Sequence, residues 1–442
     1  MGDWRFLSAA EMGRKIDAGD LDPVELAEGY LDAATQHPQG TQIYARLTPD
    51  RALNEAKAAH ARAKAGRRKG PLDGVPISWK DLFDSAGTVT EAGTALLKGR
   101  VPSKDARVLA TATQLGLVCI GKTHMTELAF SGLGYNPSTA TPPNVHDAAR
   151  LPGGSSSGAA ASVAHGLAAI GIGSDTGGSV RVPSGWNDLV GLKTTPGRLS
   201  LEGVVPLCET FDTVGPLART VEDAALMLAA LEGGKATDLT GASLTGARFA
   251  VLKDIVLDGL ETAPAAGFDR ALSAFAAAGA TIDDLHAPEV VDAMANAGPL
   301  FTAEAYGTWK DEIEAAPDKM FAAILARFRT GADVKAADYV ALWRALHRQR
   351  AIWNARIAGY DAILMPTVAI EPPKRADVAA DSAYFTARNL LALRNTRVGN
   401  LMGSAAVTLP TGVAWGGVML VGLGGSEERL LRVAAAAEAA LA

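Results

Sequence analysis

The stretch Leu167-Ala168-Ala169-Ile170-Gly171-Ile172-Gly173-Ser174-Asp175-Thr176-Gly177-Gly178-Ser179-Val180-Arg181 decides how this 442-residue chain is read. Its first half is short, apolar and punctuated by glycine, which predicts a central strand buried on both faces. Its second half abruptly concentrates Gly, Ser, Thr, Asp and Arg. Tandem glycines let backbone N–H groups converge on one point, and here they end on a hydroxyl. A nucleophile beside converging amide donors is what acyl transfer requires.

Working outward, residues 71–81 read as a turn feeding a short apolar strand that stops on Lys80 and Asp81. A lysine is a poor base in water, but burial disfavours its charged form. Between residues 105 and 173 helix and strand alternate: a helix over 106–115, a strand over 117–120, a Gly/Asn/Pro-rich loop over 132–154 and an Ala-rich helix from Gly158. That alternation predicts an α/β fold with a largely buried sheet. Two short helices precede it, the second starting at Asp22-Pro23, and a longer one runs from about Asp50 to Lys69. Another helix runs from about Asp223 to Leu231, and further strands are expected over 249–252, 362–365, 405–409 and 418–421.

Two motifs point elsewhere and fail on physical grounds. Gly116-Leu117-Val118-Cys119-Ile120-Gly121-Lys122-Thr123 satisfies the phosphate-loop pattern, but Leu-Val-Cys-Ile reads as a strand whose amides are committed to sheet bonds. Gly154-Ser155-Ser156-Ser157-Gly158 satisfies GxSxG, which would select Ser156 and demand a histidine. That elbow needs a buried strand immediately before it, and residues 147–153 are polar and turn-forming. Of the later histidines, His165, His286 and His347, none stands in a loop of functional character.

The bulk numbers narrow the field. A net charge of -6 offers no basic surface for nucleic acid. The one basic run, Arg67-Arg68-Lys69, reads as a solvated helix end. Cys119 and Cys208 suggest neither a disulfide framework nor a metal knuckle. The start, Met1-Gly2-Asp3-Trp4-Arg5-Phe6, has no apolar targeting region, and no apolar run is long enough to span a membrane. The expectation is a cytoplasmic protein, a monomer or homodimer, with no metal or cofactor and no nucleic-acid or membrane partner.

Gly153-Gly154-Ser155-Ser156-Ser157-Gly158 leading through an Ala-rich helix to Gly177-Gly178-Ser179-Val180-Arg181-Val182-Pro183 resembles the amidase-signature hydrolases. Ser155 and Ser179, twenty-four residues apart, have the spacing of that family's two catalytic serines. The segments at 74–81, 121–127, 191–198 and 212–219 are also similar, with weaker likeness at 365–367 and 417–431. The resemblance implies one domain over 1–442: N-terminal helices to residue 69, a signature core over about 70–225, and 246–442 completing sheet and pocket. It implies a central mixed β-sheet covered by helices on both faces. It also implies a Ser–Ser–Lys triad in which Ser179 attacks, Ser155 on a cis peptide bond relays the proton, and neutral Lys80 accepts it. Backbone N–H groups of Thr176, Gly177, Gly178 and Ser179 would form the oxyanion hole, with Asp175 and Arg181 holding the loops.

For the substrate pocket the candidates are Met125, Leu133, Tyr135, Trp186, Met365 and Thr367. Most are apolar, which favours a neutral acyl or carbamoyl group over an acidic one. The expected substrate is a small amide or carbamate (urethane). Two rivals share the fold: the glutamine-hydrolysing component of a tRNA-dependent amidotransferase, which works only with partner subunits, and an inactive scaffold. The loop 129–134 and Met419, where a Gln is more usual in the family, argue for a stand-alone amidase. The complete Lys80, Ser155, Ser179 set argues against the scaffold.

Overall fold

The computed structural model describes residues 4–442; Met1 to Asp3, with which the N-terminal stretch begins, lie outside the described residues. The strands in chain order are β1 (Tyr44–Leu47), β2 (Pro76–Lys80), β3 (Val118–Thr123), β4 (Ile170–Ser174), β5 (Val190–Lys193), β6 (Val214–Ala218), β7 (Arg248–Leu252), β8 (Thr281–Leu285), β9 (Ala362–Pro366), β10 (Ala406–Leu409) and β11 (Val418–Val421). They form a mixed sheet in the order β1-β3-β2-β4-β6-β5-β10-β11-β9-β7-β8. Helices cover both faces, so the inner strands from β3 to β9 are buried along their whole length. The edges differ: β1 is half-buried and β8 exposes three of its five residues.

Local chemistry sets the helix starts. Ser8 accepts from the Glu11 amide at the head of Ala9–Ala18, and Asp22 accepts from the Val24 amide at the head of Pro23–Gln36, with Pro23 in the first turn. The expected helix over 50–69 is shorter, Pro49–Lys64, and the basic run lies past its end. The expected strand over 117–120 extends to Thr123. The lysine of the phosphate-loop match therefore sits inside β3. Its Nζ donates to Phe83 O (2.6 Å), Thr90 Oγ1 (2.9 Å) and Asp81 Oδ1 (3.3 Å), a structural anchor rather than a phosphate ligand.

Strand direction places the site. β2 is parallel to both β3 and β4, with Trp79 opposite Ile172, so Lys80 and Ser174 finish at the same edge of the sheet. The crevice outside the carboxyl ends of such strands is where α/β folds bind ligands. A Cβ on Gly171 would lie 2.6 Å from Ala159 O, so glycine there lets the helix Ser157–Ala164 press directly onto β4. That close approach brings the Ser155 segment over the end of the strand that leads to Ser179.

Candidate active site

Lys80 is fully buried, and its Nζ donates to Ser155 Oγ at 2.7 Å and to Ser174 Oγ at 2.8 Å. Burial pushes its pKa down from 10.5 to about 7, against the opposing pull of the Asp212 and Asp175 carboxylates. A substantial fraction of the amine is therefore neutral at physiological pH. The Gly154–Ser155 peptide is cis. The Ser155 carbonyl accepts from the Thr126 amide at 3.1 Å, and the Gly154 amide donates to Gly132 O at 2.8 Å, which fixes the segment on the loop after β3.

Ser179 follows β4 on a short loop and faces this segment in space. Its carbonyl accepts from the Ser156 amide at 3.2 Å, and the residue lines a small cavity. Ser156, the serine that GxSxG would select, is buried elsewhere: its Oγ donates to Ser174 O at 3.2 Å and accepts from the Ser174 amide at 3.3 Å. Its hydroxyl is occupied in tying two loops together.

The loop carrying Ser179 is wound around Asp175. That carboxylate accepts from the Gly178 amide (2.9 Å), the Val180 amide (3.1 Å), Asn400 Nδ2 (2.8 Å) and both Nε (3.0 Å) and Nη2 (2.9 Å) of Arg181. Burial alone would raise its pKa, but the Arg181 guanidinium and these donors hold it well below the usual carboxylate range. Arg181 in turn donates to Thr396 O (2.6 Å), Asn400 Oδ1 (2.7 Å) and Met419 Sδ (3.2 Å), so Met419 touches this knot through sulfur. Gly178 has φ 136°, and a Cβ there would overlap Thr396 Oγ1 at 2.0 Å, so only glycine fits. Of the four amides expected in the oxyanion hole, that of Gly178 donates to Asp175, while Thr176, Gly177 and Ser179 lie at the cavity wall.

Of the expected pocket residues, Met125, Leu133, Trp186, Met365 and Thr367 are fully buried, and the cavity at Ser179 has other lining residues. Most are held by identifiable partners: Met365 pairs with Met419 across β9 and β11, Trp186 Nε1 donates to Ile370 O, and Thr367 lies against Thr408. Tyr135 is partly exposed, its ring edge-on to Phe321 and Phe385. The cavity wall instead comes from Phe130, Leu207, Phe301, Arg327, Leu393 and Arg397. Sequence reasoning also missed Ser174, the second partner of Lys80, and Asp212, which accepts from Thr176 Oγ1 and from the Leu207 and Cys208 amides. The polar run Arg394-Asn395-Thr396-Arg397 inside an apolar region was the available signal for the wall and brace on that helix. Among the described residues no three His, Cys, Asp or Glu side chains cluster as a metal site would.

The 11-stranded mixed sheet is shared with solved amidase structures. A solved amidase superimposes with a TM-score of 0.89 at 28% identity, covering 99% of this chain and 100% of that one. The chain belongs to the amidase family, whose model matches residues 25–431. It is 33% identical to 2-amino-5-chloromuconic acid deaminase of Comamonas testosteroni over 98% of this chain and 96% of that protein. It is 30% identical to the A-type component of glutamyl-tRNA(Gln) amidotransferase from Symbiobacterium thermophilum, over 97% and 96% respectively. Among the described residues no helix is long and apolar enough to cross a membrane.

Proposed function

We propose that this protein is a serine amidase that hydrolyses the C–N bond of a small amide through an acyl-enzyme. The observation that carries the reading is the buried Lys80 amine, bonded to Ser155 Oγ and brought to a pKa of about 7, beside the Ser179 cavity. Ser179 Oγ attacks the carbonyl while its proton passes to Ser155, whose own proton passes to the neutral Lys80 amine. Charge on the carbonyl oxygen is met by the amides of Thr176, Gly177 and Ser179. On collapse the ammonium of Lys80 returns a proton through Ser155 to the leaving nitrogen, the C–N bond breaks, and the acyl group stays on Ser179. Water then attacks the ester by the same relay and releases the acid. Carbamates are within reach of the same site, since their carbonyl presents the same oxygen to the same donors.

The test is a screen of p-nitroanilides, primary amides and aryl carbamates with the wild-type protein and Ser179→Ala. The variant is expected to lose at least about 10⁴-fold in turnover. Full turnover by the variant on every cleaved substrate ends this reading. The match to the amidotransferase component favours a second reading, a glutaminase that works only with partner subunits. Glutamine hydrolysis that appears only on adding such subunits selects it.

A further inference from the structure

The cavity beside Ser179 adjoins a second one. This second cavity, of about 300 Å³, opens between the helices Ala297–Ala315, Ala322–Arg329, Ser382–Ala392 and Arg394–Leu401. Phe301, Arg327 and Arg397 line both, so they form the wall shared by the two. Two of these three are cations. Arg327 Nη1 donates to Phe130 O at 3.0 Å with the guanidinium 4.3 Å from the Phe130 ring centre, and Arg397 lies 6.0 Å from the Phe301 ring centre. Among the described residues neither forms an ion pair with a carboxylate.

Several other enclosed arginines of this chain are paired within the protein. Arg181 has Asp175, Arg51 has Asp105 and Glu55, and Arg219 donates to four backbone carbonyls. Arg327 and Arg397 each carry a full fork of N–H donors, of which Phe130 O takes one. They also oppose each other: burial and the charge of Arg397 push Arg327 down to about 9, and burial pushes Arg397 down to about 10. Two half-enclosed cations side by side with no counter-charge is an arrangement an arriving anion stabilises, and a planar guanidinium fork fits a carboxylate in bidentate fashion. Neither cavity lining contains Asp or Glu, so no carboxylate there meets an ammonium group.

We infer that the substrate is an amide carrying a carboxylate, the half-amide of a small dicarboxylic acid, whose carboxylate Arg397 and Arg327 hold while its amide carbonyl meets Ser179. This rests on the serine amidase reading and reverses the expectation of a neutral acyl group. It also sets glutamine apart, because its α-ammonium would lie near two cations without an acidic partner.

The experiment compares kcat/KM for glutaramate, its neutral methyl ester and glutamine. The wild type is expected to prefer glutaramate over the methyl ester by about 10²-fold, with glutamine no better than the ester. Arg397→Met and Arg327→Met are expected to bring the glutaramate-to-ester ratio to near one, chiefly through KM, with Arg397→Lys in between. Arg394→Met, on the same helix but outside both cavity linings, keeps the wild-type ratio. Thermal melting shows that each variant is folded. In parallel, a fluorophosphonate labels Ser179, and glutarate is expected to protect it in the wild type but not in Arg397→Met. Equal rates on glutaramate and its ester, a ratio untouched by either arginine variant, or labelling without glutarate protection overturns the carboxylate assignment. Absence of any Ser179 labelling and any amide cleavage overturns the amidase reading instead.

Discussion

Lys80 and Lys193 occupy equivalent-looking positions and do different things. Each ends a strand of the sheet, each is fully buried, and burial brings each down to a pKa of about 7. Their partners differ. Lys193 Nζ donates to two backbone carbonyls, Thr194 O and Ser404 O, both at 2.8 Å. Lys80 Nζ meets two hydroxyls, Ser155 and Ser174. A carbonyl only accepts, so a neutral amine at Lys193 finds no proton to take. A hydroxyl both donates and accepts, so in the proposed mechanism Ser155 hands its proton to Lys80 and draws another from Ser179. Desolvation makes a lysine basic in the useful range; the chemistry of its neighbours decides whether that basicity is used.

The largest expected effect tests this contrast directly. Lys80→Met should lose about 10⁴-fold in kcat/KM. Lys193→Met should keep activity within about fivefold, while the orphaned Thr194 and Ser404 carbonyls cost about 1–3 kcal/mol and lower the melting temperature. If the two variants lose activity equally, the distinction between them is wrong.

The pH profile comes next. Lys80 must be neutral to accept a proton, so kcat/KM should fall about tenfold per unit below about pH 7, in the wild type and in Lys193→Met alike. Stability carries the other signature. Between about 7 and the ordinary lysine value of 10.5 the unfolded chain holds a proton that folded Lys193 lacks, so stability rises with pH across that window and is lost again as pH falls through about 7. Denaturant titrations should show Lys193→Met with a shallower rise, by up to about 1.4 kcal/mol per pH unit.

Two smaller effects sharpen the roles of the serines. Ser174→Ala removes one of the two partners of Lys80 without interrupting the path through Ser155, and about a tenfold loss in kcat is expected. Ser156→Ala should stay within about threefold, since its hydroxyl serves only the Ser174 backbone. A larger loss there than in Ser155→Ala would revive the GxSxG reading.

The apolar strands β2, β4, β9, β10 and β11 were legible because burial on both faces writes a continuous hydrophobic run. The strands β5 and β6 were not: β5 is four residues ending in lysine, and β6 carries Pro216, which ordinarily argues against an inner strand. At the edges, β1 and β8 are too polar to announce themselves. Within the site, Lys80, Ser155 and Ser179 stood out because each sits in a short local motif. The cavity wall did not, since Phe301, Arg327 and Arg397 come from three separate helices and only tertiary packing brings them together. Proximity in sequence to the motifs instead suggested Met125, Leu133 and Trp186, which face the core.

The brace around Asp175 has a consequence for the timing of synthesis. Arg181 is held by Thr396 and Asn400, which lie 215 and 219 residues further along the chain, and Thr396 Oγ1 also donates to Gly177 O. A nascent chain has displayed Lys80, Ser155 and Ser179 long before the residues that shape the Ser179 loop leave the ribosome. The helix Arg394–Leu401 thus acts as a late key, and a polypeptide cut short before it carries every reactive group yet lacks the arrangement that makes them reactive together.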